Sequence, residues 1–322
     1  MKVSQAGILV IIAFLLVGLT GCNFFARKDV VDGAEAFKNR KFDEAEQLFR
    51  RAAQRAPAES IEGKTARLFL ARTLHSQFAG DRGNKAKAEA AIVEYQKVLE
   101  KDPKDNSSFK AVANLLENLE KTDEWKKWVT ERSENTNIPN EQRAEAYTSL
   151  ASKENTCANE ISEDPAVKKT VQEGGKAVFK FSKPTDSAKL EQLKGCIQRG
   201  MDLISKALEL ETEEVKNSKG LNVKPLNDKD LVAKNNVLKP FESARSYHTS
   251  LLIQSARLAE MEGRAADKDR FSQEKDVAKE KFKELAEVTK AIKDEQEERA
   301  KAKAEESNVA AGKGGDNTSS NK

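Results

Sequence analysis

Between Phe42 and Pro57 the apolar and small residues Ala45, Leu48, Phe49, Ala52 and Ala53 recur at three- and four-residue steps, one face of an amphipathic helix. Acidic, amide and arginine side chains, among them Asp43, Glu46, Gln47, Arg50 and Gln54, occupy the opposite face, and Pro57 follows as a stop signal. Ahead of it, Val30, Val31, Gly33, Ala34 and Phe37 predict a shorter helix closed by a turn at Asn39-Arg40-Lys41. Gly33 and Ala45 are the small residues that let the two helices approach closely. The pattern returns down the chain. Leu70, Ala71 and Leu74 mark one helix, and Ala91, Tyr95 and Val98 mark the next, before Pro103. Between them lies the turn cluster Gly80-Asp81-Arg82-Gly83-Asn84. Phe109, Val112, Ala113, Leu116 and Leu119 share a face, followed by Trp125, Trp128 and Val129 and then Pro139. Tyr147, Leu150 and Ala151 open another helix, with Leu190–Leu210 as its partner. Leu221–Lys239, with Pro225 and the following Pro240, reads as irregular. Phe241–Met261 is amphipathic and ends at Gly263, and a long charged helix follows over roughly 265–298.

These spacings resemble the tetratricopeptide (TPR) repeat, a helix–turn–helix unit with Ala-x3-Phe and a closing proline in its second helix. Ala45, Phe49 and Pro57 match those positions and Gly33 matches the small residue of the first helix, while Asp29 and Asp32 depart from its large positions. Ala91, Tyr95 and Pro103 repeat the match, with extra residues between Phe78 and Ala88. In the third unit Trp125 stands where the repeat has alanine; a pair of tryptophans three apart reads as core packing ahead of a ligand platform. The fourth unit has Tyr147, Leu150 and Ala151, then Gly200, Ile204 and Ala207. Its insertion, about 158–189, includes Gly174-Gly175 and the alternating run Ala177–Phe181, a candidate strand. Such an insertion is either a binding feature or a mobile loop.

The resemblance implies an all-α, TPR-like helix–turn–helix solenoid with a loop insertion and a long C-terminal helix. It places Gly33, Ala45, Phe49, Ala52, Pro57, Ala71, Ala91, Tyr95, Pro103, Ala113, Ala151 and Ala207 at repeat-packing positions. It also sets Cys157 and Cys196 across from each other at the base of the insertion, so a disulfide is expected there, with two free buried thiols as the alternative.

Composition agrees with a helical chain. Of 322 residues 34% are charged and 6% aromatic, and the net charge of +3 gives no polyanion-binding footprint. The N-terminus changes the picture more. Lys2 precedes an apolar run from Ala6 to Leu19, too short for a membrane span and suited to a signal peptide. The run ends at Leu19-Thr20-Gly21-Cys22, which resembles the lipobox of bacterial lipoproteins, where Cys22 carries the covalent lipid. Asn23 in place of aspartate favours the outer membrane, facing the periplasm of a Gram-negative-type bacterium.

Signals for chemistry are weak. Residues 58–65, AESIEGKT, fit a loose phosphate-loop pattern, but a helix precedes them, one glycine is present, and Glu59 and Glu62 repel a nucleotide. His75 and His248 lie far apart without the companions of a zinc site. No catalytic, metal or cofactor-binding residues are assigned, and no enzyme is expected. The segments read as signal peptide 1–21, lipidated tether 22–28, repeats 29–137, a fourth repeat 138–212, linker 213–240, helical pair 241–299 and disordered tail 300–322. The expected function is a lipid-anchored scaffold binding other envelope proteins through the TPR groove, without nucleic acid or nucleotide. The alternative is an accessory that positions or regulates a peptidoglycan enzyme.

Overall fold

The computed structural model describes residues 24–313, with side chains to residue 306. The lipobox and Cys22 lie outside the described residues. The chain divides into two compact units, one ending at Trp128 and one beginning at Val129.

In the first unit α1 (24–38) and α2 (Phe42–Arg55) form a hairpin. The inward face of α1 is Ala26, Asp29, Gly33 and Ala36, so the expected face is displaced: Val31 is 59% exposed and Ala34 is exposed. The physical reason is Asp29. Its carboxylate meets Arg51 at 3.2 Å and Arg55 at 2.5 Å on α2, which matches the buried charge. A Cβ on Gly33 would lie 2.9 Å from Phe49 Cε1, so this position is glycine by necessity. The expected tether is also shorter, because α1 is already helical at residue 24.

α3 (Ile61–Gly80) and α4 (Lys85–Lys101) form the next hairpin, and α5 (Asn106–Asn118) and α6 (Thr122–Glu134) the third. The extra residues between Phe78 and Ala88 extend the helices and leave only 81–84 as the turn. Contacts reach beyond each hairpin. Phe37 of α1 meets Phe69 of α3 edge-on at 5.8 Å, and Glu46 of α2 bonds Lys87 of α4 at 2.6 Å. Trp125 is buried, and Trp128 stacks on Phe109 of α5 at 5.6 Å, so both tryptophans pack the hairpin.

The second unit is built on α7 (Asn140–Ser162), α8 (Ser187–Glu209), α10 (Asp228–Met261) and α11 (Ala265–Lys313), with a single short turn, α9 (Glu213–Lys216), between. α10 lies against both α7 and α8, and α11 runs along α10. One core gathers Tyr147, Leu231, Leu238, Phe241, Leu285, Val288 and Ile292, and another gathers Ile161, Val167, Leu193, Ile197, Leu258 and Met261.

Three expectations are corrected here. Residues 228–240 are helical and α10 runs through Pro240, because Leu231 and Leu238 are fully buried in the core and that packing outweighs the lost backbone bond. The tail is helical as far as Lys313. The insertion shrinks to 163–186 and contains a hairpin, β1 (Lys168–Glu173) and β2 (Lys176–Phe181), paired antiparallel from Lys168↔Phe181 to Glu173↔Lys176. Gly174 and Gly175, at φ +56° and +77°, make the two-residue turn that only glycine adopts without strain.

Candidate functional site

α3 supplies the most featured surface of the first unit. Its start is fixed locally: Ser60 caps the helix by accepting from the Gly63 N–H at 3.0 Å, and a Cβ on Gly63 would lie 2.1 Å from the Pro57 carbonyl. The segment that resembles a phosphate loop is therefore a capped helix entrance. Ala66, Leu70, Ala71, Leu74 and Phe78 form the buried face of α3. Beside that face, Leu68, Phe69, Arg72, His75 and Ser76 are each half-covered, at helical spacing along one strip.

Phe69 is held by Phe37 and by Phe49, its ring 5.4 Å from the latter. The Arg72 guanidinium lies 5.3 Å over the Phe69 ring, and among the described residues Arg72 forms no ion pair. One turn on, His75 Nδ1 lies 3.5 Å from the Tyr95 hydroxyl of α4, the rings edge-on. Burial pushes His75 down, and the nearby Arg82 charge adds to this, so the imidazole is neutral at neutral pH. Burial pushes Tyr95 up to about 12; Arg72 opposes the rise and Asp105 adds to it. Asp105 caps α5. Burial raises its carboxyl, but hydrogen bonds from Ser108 and Ser107 outweigh burial and hold it below its ordinary value. The strip thus offers one cation, an aromatic face and a neutral donor–acceptor pair, a set suited to recognition.

The repeat-packing residues divide by burial. Gly33, Ala45, Phe49, Ala52, Ala71, Ala91, Tyr95, Ala151 and Ala207 are buried, Ala113 is half-buried, and Pro57 and Pro103 stand exposed in the turns after α2 and α4. Cys157 of α7 and Cys196 of α8 are joined in a disulfide, their Cα atoms 6.1 Å apart. Arg199 beside it bonds Glu154 twice, at 3.0 and 2.8 Å, tying the same two helices. His75 and His248 fall in different units.

A second feature was not visible as a site in the sequence. A cleft of about 630 Å³ between α8, α10 and α11 is lined by Leu208, Glu211, Arg245, His248, Val277 and Lys281, among others. Arg245 and Glu211 are paired at 2.7 Å and nearly covered, and Arg245 also donates to the Lys281 carbonyl at 2.9 Å. Burial pushes His248 down, helped by Lys281 and opposed by Glu274. Charged residues 34 positions apart carry no local signal of such a pair.

No family model matches the chain, and no curated protein matches it. A solved structure titled "Functional Characterization of Pseudomonas Aeruginosa pilF" is similar over 79% of this chain and 91% of that one, at 13% identity and a TM-score of 0.29. The fold is defined by its helices, paired in sequence order into antiparallel hairpins through the first unit.

Proposed function

We propose that the first unit is a TPR-type protein-binding module and that the chain is an envelope scaffold, held by lipid on Cys22 at the outer membrane and facing the periplasm. The observation that carries the binding role is the strip on α3. Arg72 is displayed over Phe69 without an ion-pair partner among the described residues, beside a neutral His75–Tyr95 pair. Half-covered cationic and aromatic groups are the kind of anchor that dominates protein interfaces. The membrane part of the proposal is supported by the lipobox sequence alone.

In-cell crosslinking of the full chain, followed by identification of the captured proteins, tests both parts. Capture of outer-membrane assembly components that falls at least tenfold with Arg72→Ala, and is lost with Cys22→Ala, is the expected result. Capture indifferent to Arg72→Ala would remove the strip from the interface. Capture of peptidoglycan enzymes would replace assembly by wall remodelling as the process served.

A further inference from the structure

The β1–β2 hairpin and its exit carry five lysines, Lys168, Lys169, Lys176, Lys180 and Lys183, against the single acid Glu173. Lys168 is paired with Glu163 and Lys180 with Glu173. Among the described residues Lys169, Lys176 and Lys183 form no ion pair. Phe179 is 58% exposed, with the Lys168 ammonium 4.0 Å above its ring. At its root the hairpin is fixed firmly. Val167 is buried, the Arg257 guanidinium lies 4.7 Å from the Phe181 ring, and the disulfide joins the two flanking helices. A rigid root thus presents a basic ribbon with an uncovered aromatic.

The register defines which backbone groups face outward. Ser182 donates to the Val167 carbonyl at 2.9 Å, so the neighbouring pair Lys168↔Phe181 is a non-bonded pair and the alternation continues inward. Phe179 and Ala177 therefore turn their N–H and C=O groups away from β1. The N–H of Phe181 does the same, and a carboxylate already takes it: Glu260 Oε1 accepts at 3.3 Å. The edge of β2 is a short template for one more strand, its first donor capped by an acid and the next two open.

We infer that the β2 edge is a docking site for an extended, acidic protein segment, which adds as a third strand. Its backbone pairs with Phe179 and Ala177, its carboxylates face Lys176 and Lys180 on one side of the ribbon, and its apolar side chains cover Phe179 on the other. A bilayer surface is disfavoured by the same groups. Insertion would bury open backbone donors and acceptors in lipid, and one exposed aromatic gives little to hold it there. This surface lies in the second unit and is independent of the strip on α3.

The probe is a capped ten-residue peptide of alternating glutamate and valine, added to the full chain, with a lysine–valine peptide as control. Binding of the acidic peptide alone, with slowed hydrogen exchange at the Phe179 and Ala177 amides, is expected. Ala177→Pro removes an outward N–H and no ladder bond, and it should weaken binding at least tenfold. Unchanged exchange at Val171 and Val178 in that variant shows the hairpin intact. Lys176→Gln with Lys180→Gln is the second variant; it should weaken binding about fivefold and flatten its salt dependence. No binding at millimolar peptide, or binding that ignores both variants, overturns the inference. Protection of the hairpin by phosphatidylglycerol vesicles with none by the peptide overturns it in favour of a lipid surface.

Discussion

Gly195 and Gly200 both lie within α8 and meet different neighbours. A Cβ at Gly200 would sit 2.7 Å from Leu251 Cδ2, a fully buried side chain with no room to yield, and 3.4 Å from Glu154 Cβ. A Cβ at Gly195 meets only the far end of Arg199. Alanine gains about 1 kcal/mol of helix propensity over glycine at either site. At Gly200 overpacking reverses the sign, and Gly200→Ala should destabilise by roughly 1–3 kcal/mol. Gly195→Ala should be neutral or stabilise by up to about 1 kcal/mol. Urea midpoints of the two variants, measured side by side, check the opposite signs. At the same scale, the His75–Tyr95 pair sets a pH dependence. The unfolded chain takes up a proton on His75 at its ordinary value of 6.5, and the folded chain does so lower. Stability is therefore full above about pH 6.5 and declines as pH falls through the depressed folded value. For Tyr95 the unfolded value is 10.0 and the folded value about 12. Stability is full below pH 10 and is lost as pH rises toward 12, by up to roughly 3 kcal/mol at 1.36 kcal/mol per unit. The acid slope of stability against pH should become shallower in His75→Gln, His248 keeping its own share, and the alkaline slope should become shallower in Tyr95→Phe.

Among the elements, α10 shows how packing overrides local preference. Pro240 has no N–H to offer the Asn236 carbonyl, yet the helix continues, with Leu238 and Phe241 fully buried on either side of it. Pro240→Ala should restore the bond and raise stability by about 1–3 kcal/mol in chemical denaturation. The sequence placed α2, α4 and α8 well because Ala45-x3-Phe49, Ala91-x3-Tyr95 and Gly200-x3-Ile204 repeat at a helix period and are buried as a face. α1 was legible as a helix but not by its face, since the partners that make Asp29 an inward residue, Arg51 and Arg55, lie a hairpin away. The cysteine pair followed from the repeat register. The Arg245–Glu211 cleft and the open edge of β2 had no comparable signal, because each depends on which groups tertiary packing leaves unmatched. The disulfide itself closes a separation of 39 residues. By loop-closure entropy it contributes about 4 kcal/mol, and Cys157→Ala with Cys196→Ala should lose that amount in urea denaturation.

For the whole molecule, the two tryptophans and the two bridged cysteines fall on opposite sides of the Trp128–Val129 division. Intrinsic fluorescence therefore follows the first unit, and reduction acts on the second. On adding reductant, the unfolding transition followed by helical circular dichroism should move to lower urea, and the one followed by tryptophan should move less. Equal shifts would mean that the chain unfolds in one step.

The clasp at the root of the α7–α8 connection has an evolutionary consequence. With the two helices joined and the root anchored through Val167 and Phe181, the ribbon beyond those anchors answers mainly to loop closure, and doubling its length adds only about 0.6 kcal/mol. Selection that holds α7 and α8 in place leaves the lineage free to lengthen, shorten or recharge that ribbon. Drift between Lys169 and Lys180 can then change what the ribbon meets while its frame is inherited unchanged.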